Sequence, residues 1–215
     1  MPERTLLVDL DGTLVDSAQD LAHSLNHTLE SMGMPHRSHQ EIRSFIGQGA
    51  TTLLIKALAT EDPTRVEEAR QRFFTHYDSH CTDHTRLFPG WEEVLESDIP
   101  LVVLTNKPEH FARKILDALH IRHHFKLVIG GDTLAVKKPD LGVTRHVAAE
   151  LGLSPERFIM VGDGEPDGKL ATAGGFPFWG ARWGYEELAV LGRYEPIWLD
   201  HPSDILHHWR QRSVD

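Results

Sequence analysis

Leu6-Leu7-Val8-Asp9-Leu10-Asp11-Gly12-Thr13-Leu14-Val15-Asp16-Ser17 is the stretch whose reading decides the fold. A short, continuous apolar run that stops at acidic residues and glycine reads as a buried strand whose outgoing loop faces a site. Beyond Ser17 the period changes: Leu21, Leu25, Thr28, Leu29 and Met32 recur at helical spacing, with Asp16 or Ser17 as the cap. Gly33 and Pro35 end that helix. From His39 to about His84 the pattern stays helical, interrupted at Gly47-Gln48-Gly49 and Asp62-Pro63, and no convincing strand occurs in it.

After Pro89-Gly90, helices alternate with apolar runs. The spacing predicts helices over 91–96, 109–119 and 143–151, and a short one from about Asp167. Strands are expected over 101–104, 126–129 and 158–161, then at Phe178-Trp179 and Ile197-Trp198-Leu199. Such alternation implies parallel βαβ units and a doubly wound, Rossmann-like sheet. The all-helical segment breaks it just after the first strand. The expected organisation is therefore an α/β core of residues 1–14 and 86–215, with a helical cap domain, residues 15–85, inserted after the first strand.

A chain of 215 residues can bury one substantial core plus a smaller unit. Its 40% apolar and 25% charged residues are ordinary for a globular protein. A formal charge of −10 disfavours broad binding to nucleic acid, and it means that an anionic substrate needs a local cation, which a bound metal would supply. The single cysteine, Cys81, rules out an intrachain disulfide or a cysteine-built zinc site. No run approaches the roughly 20 apolar residues of a membrane span, and the opening residues lack a secretory cleavage pattern. The expectation is a cytoplasmic monomer or homodimer without membrane or nucleic-acid partners.

Ligands of open parallel sheets bind where loops leave the carboxyl ends of the strands. Four of those exits carry polar groups: Asp9-Leu10-Asp11-Gly12-Thr13, Thr105-Asn106-Lys107, Gly130-Gly131-Asp132 followed by Lys137-Lys138-Pro139, and Gly162-Asp163-Gly164-Glu165-Pro166-Asp167. Carboxylates from two loops suit Mg²⁺, which takes oxygen ligands and keeps positions for water and phosphate. Asp9 can attack phosphorus to give an acyl phosphate. Asp11, two residues on, can exchange a proton with the leaving-group oxygen. Thr105 and Asn106 offer a hydroxyl and an amide to phosphoryl oxygens, and Lys138 offers a charge. Taken singly, each group also reads as ordinary turn or surface chemistry; the weight lies in all four occurring in this order at strand exits.

These stretches resemble the four signatures of the haloacid dehalogenase superfamily in its phosphatase form, over nearly the whole chain. Within it, Ile46-Gly47-Gln48-Gly49, Thr85-Arg86-Leu87-Phe88-Pro89-Gly90, Thr105-Asn106-Lys107-Pro108 and Gly130-Gly131-Asp132-Thr133 are similar to phosphoglycolate phosphatases. The resemblance implies Asp9 as nucleophile and Asp11 as acid/base, the latter also giving a backbone carbonyl to Mg²⁺. It implies Asp163 as metal ligand, with Asp167 as ligand or beside the ligands. Thr105 and Lys138 would hold the phosphoryl group, with Asn106 in support, and the substrate would be a small phosphorylated metabolite, 2-phosphoglycolate first. A phosphosugar mutase and a catalytically weakened binding or regulatory homologue are the alternatives. Gly164 stands where the fourth signature carries Ser or Thr, Pro166 and Gly168 flank Asp167, and Leu141 replaces the second proline of the third signature.

Substrate choice is expected in the cap, at Arg43 and Gly47-Gln48-Gly49, where a helix start offers amides to a carboxylate. Fifteen histidines are many for this length. His76, His80 and His84 would share one helical face only if the helix ran past Thr85, and a solvated surface is the expectation for them.

Overall fold

The computed structural model describes residues 4–211. β1 (Thr5–Val8) is buried along its whole length. A strand covered on both faces needs apolar side chains at successive positions, which is why Leu6-Leu7-Val8 shows no alternation. β2 (Val15–Asp16) and β3 (Arg86–Leu87) form a separate antiparallel ribbon. β4 (Leu101–Leu104), β5 (Phe125–Ile129), β6 (Phe158–Gly162), β7 (Phe178–Ala181) and β8 (Ile197–Leu199) complete a six-stranded parallel sheet with β1, in the order β5-β4-β1-β6-β7-β8. The chain moves outward from β1 to β4 and β5, then returns to β6 on the other side of β1 and continues outward. This is the doubly wound α/β architecture expected from the alternation.

Between β2 and β3 the chain is helical: α1 (Ala18–Ser31), α2 (His39–Arg43), α3 (Ala50–Leu58) and α4 (Pro63–His80). Local signals set their starts. Ser38 and Glu41 exchange hydrogen bonds as a capping box on α2. Asp62 accepts from the Thr64 amide at the head of α4, where Pro63 sits at a position that needs no donor. α1 and α4 run antiparallel, and Leu25, Leu29, Ala69, Phe73 and Tyr77 share one apolar cluster with Leu6 and Val8.

The two passages between the helical insert and the sheet lie side by side. Val15 pairs with Leu87, and Asp16 with Arg86. Ribbons of two residues carry no periodic signal, so the sequence gives no sign of them. Asp20, fully buried on α1, ties the passages together by accepting from the His84 amide (3.0 Å), the Thr85 amide (2.8 Å), Thr85 Oγ1 (2.8 Å) and His84 Nδ1 (2.9 Å). α4 ends at His80, so His84 leaves the face of His76 and His80 and serves this junction instead.

The remaining helices are α5 (Trp91–Leu95), α6 (Glu109–Ala118), α7 (Gly142–Leu151), α8 (Glu165–Gly174), α9 (Leu188–Leu191) and α10 (Asp204–Gln211). Alternate strand residues divide between two clusters. Leu6, Val8, Leu101, Val103, Ile159 and Val161 join Val94, Ile115, Ile205 and the insert on one face. Leu7, Val102, Leu104, Met160 and Phe178 join Val147 and Leu170 on the other. α8 begins at Glu165, two residues before the sequence reading, and so includes Pro166 as its second residue. Gly168 is a packing requirement: a Cβ there would lie 2.5 Å from the Tyr194 ring.

Removing the Asp20 carboxylate strands buried donors, each at a cost of about 1–3 kcal/mol. Asp20→Ala is expected to lose about 3 kcal/mol or more in urea unfolding, and Asp20→Asn less, because an amide oxygen still accepts. Equal stability of Asp20→Ala and wild type would remove this junction from the determinants of the fold.

Candidate active site

Sheet register brings the chemistry together. Val8 lies level with Val103 and Val161, and Leu104 with Ile129. The ladder runs on one step, with the Asp9 amide on the Val161 carbonyl and the Thr105 amide on the Ile129 carbonyl, both at 2.9 Å. The loops after β1, β4, β5 and β6 therefore open at one edge, beside the strand where the winding reverses.

Lys138 reaches into that edge from the loop after β5. Its Nζ lies 2.9 Å from Asp9 Oδ1 and 2.6 Å from Asp167 Oδ1. Asp163 accepts from Thr13 Oγ1 at 2.6 Å and from the Tyr185 amide at 2.7 Å. Asp167 accepts from the Gly164 amide at 3.0 Å. That bond uses the Gly164 backbone and needs no side chain at this position. All four charged side chains belong to residues no more than 4% exposed. Gly12, at φ +86°, permits the tight approach, since a Cβ there would lie 2.3 Å from Asp163 Oδ2. The Thr13 carbonyl behind it accepts from the indoles of Trp91 (2.8 Å) and Trp183 (3.0 Å).

Ligand atoms of Asp9, Asp163 and Asp167 all lie within 4.8 Å of one another. Burial, reinforced by the charge of Asp9, pushes Asp163 up to about 7. Asp167 is also raised, by burial first, with the Lys138 charge opposing and Asp9 and Asp163 adding to the shift. Burial alone would lower Lys138, but Asp167 and Asp9 outweigh it and the net shift is upward. Three ionised carboxylates against one ammonium leave an excess of two negative charges. An all-oxygen donor set of that charge fits a hard divalent cation such as Mg²⁺, which would relieve the repulsion.

Asp11 stands apart from this cluster. Lys107 Nζ holds its two oxygens at 2.9 and 3.0 Å, and Ser17 Oγ donates to it. Lys107 is itself buried and passes over the Tyr77 ring, 4.8 Å from its centre. Thr105 is buried beside Asp9 in the cavity wall. The Asn106 amide nitrogen donates to the carbonyls of Gly47 (3.3 Å) and Lys138 (3.2 Å), while its side-chain oxygen is buried without a partner.

Asp9, Asp11, Thr105 and Asn106 line a cavity of about 40 Å³ together with Leu53, Phe73, Tyr77 and Phe111. Gly47 and Gly49 also line it; Arg43 and Gln48 do not. Arg43 donates to the Gly184 carbonyl at 2.9 Å and covers the Tyr185 ring, and the Gln48 carbonyl accepts from Lys137 Nζ at 3.1 Å. Both reach across to core loops. The sequence reading missed Thr13, Lys107, Tyr77 and Tyr185. Lys107 was visible within its motif, whereas Tyr185 lies 22 residues beyond Asp163 and meets it only in three dimensions.

The family model of haloacid dehalogenase-like hydrolases matches residues 6–181. The chain belongs to this family. It is similar to a phosphoglycolate phosphatase of Chromobacterium violaceum, 36% identical over 198 residues that cover 88% of this chain and 89% of that one. A second, from Pectobacterium atrosepticum, is 35% identical and covers 94% and 91% of the two chains. A predicted phosphoglycolate phosphatase from Haemophilus somnus 129pt superposes with a TM-score of 0.89 at 31% identity, over 96% of this chain and 98% of that one. The haloacid dehalogenase-like chain described here is thus a phosphoric monoester hydrolase. Among the described residues, no helix is long and apolar enough to cross a membrane.

Lys107→Met leaves Asp11 without its cation. It is expected to lower kcat on a phosphate ester by a factor on the order of 10–100, a share of the ~10²–10⁴ that general acid–base groups supply, with a smaller change in KM. An unchanged kcat would separate Lys107 from the chemistry.

Proposed function

We propose that this chain is a Mg²⁺-dependent phosphatase that hydrolyses a small organic phosphate monoester, 2-phosphoglycolate first, through a phosphoryl group carried on Asp9. The observation that carries this reading is the buried set Asp9, Asp163, Asp167 and Lys138, with Asp9 and Asp11 both lining a small cavity and Asp11 held separately by Lys107. The relatives named phosphoglycolate phosphatase support the choice of first substrate.

Asp9, Asp163 and Asp167, or the first two with Asp167 beside them, would hold the metal. Bound there, Mg²⁺ would neutralise the cluster and polarise the phosphoryl group. An Asp9 oxygen attacks phosphorus, the ester P–O bond breaks, and Asp11 gives a proton to the departing oxygen. Water then attacks the acyl phosphate while Asp11 takes a proton from it, the bond to Asp9 breaks, and inorganic phosphate leaves. Lys138 and Thr105 bind the phosphoryl oxygens. Lys107 and Ser17 fix the Asp11 carboxylate for both proton transfers.

The helical insert, residues 15–85, acts in this proposal as a cap that excludes water and selects the leaving group. About 40 Å³ of space admits a small group only. Tyr77 supplies the discriminating contact: the residue lines the cavity, and its hydroxyl is buried and lacks a partner. Burial, then the Asp11 charge, raises this phenol well above its ordinary value, so it remains a donor. A donor left unpaired in an apolar wall suits the carboxylate of a glycolate leaving group. The amides of Ala50, Thr51 and Thr52, which precede the first helical bond of α3 from Leu53 to Gly49, can share that charge.

Asp9→Asn is expected to abolish Mg²⁺-dependent phosphate release with the fold intact by circular dichroism; release within tenfold of wild type would overturn the assigned nucleophile. Tyr77→Phe is expected to cut kcat/KM for 2-phosphoglycolate about tenfold or more, the scale of one hydrogen bond to a charged group, and to change hydrolysis of ethyl phosphate little. Equal losses on the two substrates would indicate general damage to the cavity. No loss on either would remove Tyr77 from substrate recognition.

A further inference from the structure

Four of the fifteen histidines gather outside the active site, where the antiparallel helices α1 and α4 meet. His23 and His27 stand one turn apart on α1, and His76 and His80 one turn apart on α4. Ring centres are 5.2 Å apart for His23–His76, 5.7 Å for His23–His80, 4.3 Å for His76–His80 and 4.0 Å for His27–His76. We propose that this cluster binds one borderline divalent transition-metal ion of the zinc class, through His23, His76 and His80, with His27 available as a fourth ligand.

Spacing supports the assignment first. Metal–nitrogen bonds of about 2.0–2.1 Å in a tetrahedral arrangement put imidazole centres about 5 Å apart. The three pairs among His23, His76 and His80 straddle that value, so the backbones of α1 and α4 already stand at the required separation. Among the described residues only the aspartate cluster has its ligand atoms within 4.8 Å of one another. The imidazoles must therefore turn about their side-chain torsions to converge, which rings at a helix surface can do.

The outer contacts of the two α4 rings supply the second observation. His80 Nδ1 lies 2.8 Å from Asp83 Oδ2. A carboxylate only accepts, so Nδ1 carries the proton and Nε2 keeps its lone pair. His76 Nδ1 lies 3.0 Å from Ser24 Oγ, again leaving Nε2 uncommitted. Metal-binding histidines characteristically engage their second nitrogen in this way, which fixes the tautomer and the ring orientation. Two helical pairs at i,i+4 on facing helices, with outer partners on both rings of one helix, exceed what a solvated surface requires.

An all-imidazole set selects zinc, nickel, copper or cobalt over Mg²⁺, which prefers oxygen. The ion would bridge α1 and α4, the helices that set Leu21, Phe73 and Tyr77 in the cavity wall, and would stabilise the insert without touching substrate. This inference is independent of the assigned substrate.

The test uses the full chain without an affinity tag, stripped with chelator and kept in excess Mg²⁺ so that the carboxylate cluster is occupied. Titration with Co²⁺, followed by visible absorption, and with Zn²⁺, followed by calorimetry, should show one equivalent bound per chain, and Zn²⁺ should raise Tm. His76→Ala/His80→Ala should abolish binding and the Tm shift, Asp83→Ala should weaken binding about 10–100-fold, and His84→Ala and Asp163→Ala should leave it unchanged. Should the double variant fail to fold, His23→Ala removes an exposed ligand and must weaken binding by itself. Failure of the wild type to bind, binding equally strong without His76 and His80, or loss of binding in Asp163→Ala would each overturn the proposal.

Discussion

One buried ammonium among three buried carboxylates is the constraint on which the rest of the molecule depends. Lys138 faces Asp9 and Asp167 directly, and Asp163 closes the group. Burial disfavours the charged form of a carboxylate and the neighbouring Asp9 charge adds to it, which together raise Asp163. Every surrounding feature either lowers this cost or exploits it. Thr13, Tyr185 and Gly164 donate to the carboxylates. The indoles of Trp91 and Trp183 hold the Thr13 carbonyl, so packing of the core is coupled to the position of an active-site hydroxyl. The remaining negative charge is what a divalent ion would offset, in a chain whose overall charge of −10 would otherwise repel an anion.

Separation of Asp11 from that cluster has a chemical meaning. Two carboxylates two residues apart on one loop have different environments because Lys107 and Ser17 take one while Lys138 takes the other. A nucleophile must be ionised and aimed at phosphorus, whereas a proton carrier must face the leaving group. In the proposed mechanism, distinct cationic partners let one short loop present both. Lys107 also packs on Tyr77 of α4, so the partner of Asp11 touches a helix that lines the cavity.

The helical insert is bound to the sheet at two levels. At its base, Asp20 and the β2–β3 ribbon join the outgoing and returning chain. At its rim, Arg43 reaches Gly184, Lys137 reaches the Gln48 carbonyl, and Asn106 reaches the Gly47 carbonyl. Asp20 and Thr85 at the base are buried, as is Asn106 at the rim, whereas Arg43 and Lys137 at the rim are exposed.

Much of this was legible in the sequence. Continuous apolar runs broken by Asp-Leu-Asp-Gly and Gly-Asp-Gly marked the buried parallel strands, because a strand covered on both faces must be apolar throughout and its exit must be polar. The helical stretch at 39–84 marked the insert, and the order of the motifs placed Asp9, Asp11, Lys138 and Asp163 at strand exits. Tertiary structure alone decided the partners. Tyr185 on Asp163, Arg43 on Gly184 and Tyr77 in the cavity wall join residues from distant segments, and no local pattern encodes such contacts. The histidines show the limit most clearly. Spacing grouped His76 and His80 with His84, but the helix ends at His80, and antiparallel packing of α1 brings His23 and His27 instead. Periodicity follows from the backbone geometry of one segment, whereas the neighbours of a side chain follow from how separate segments bury their apolar faces against each other.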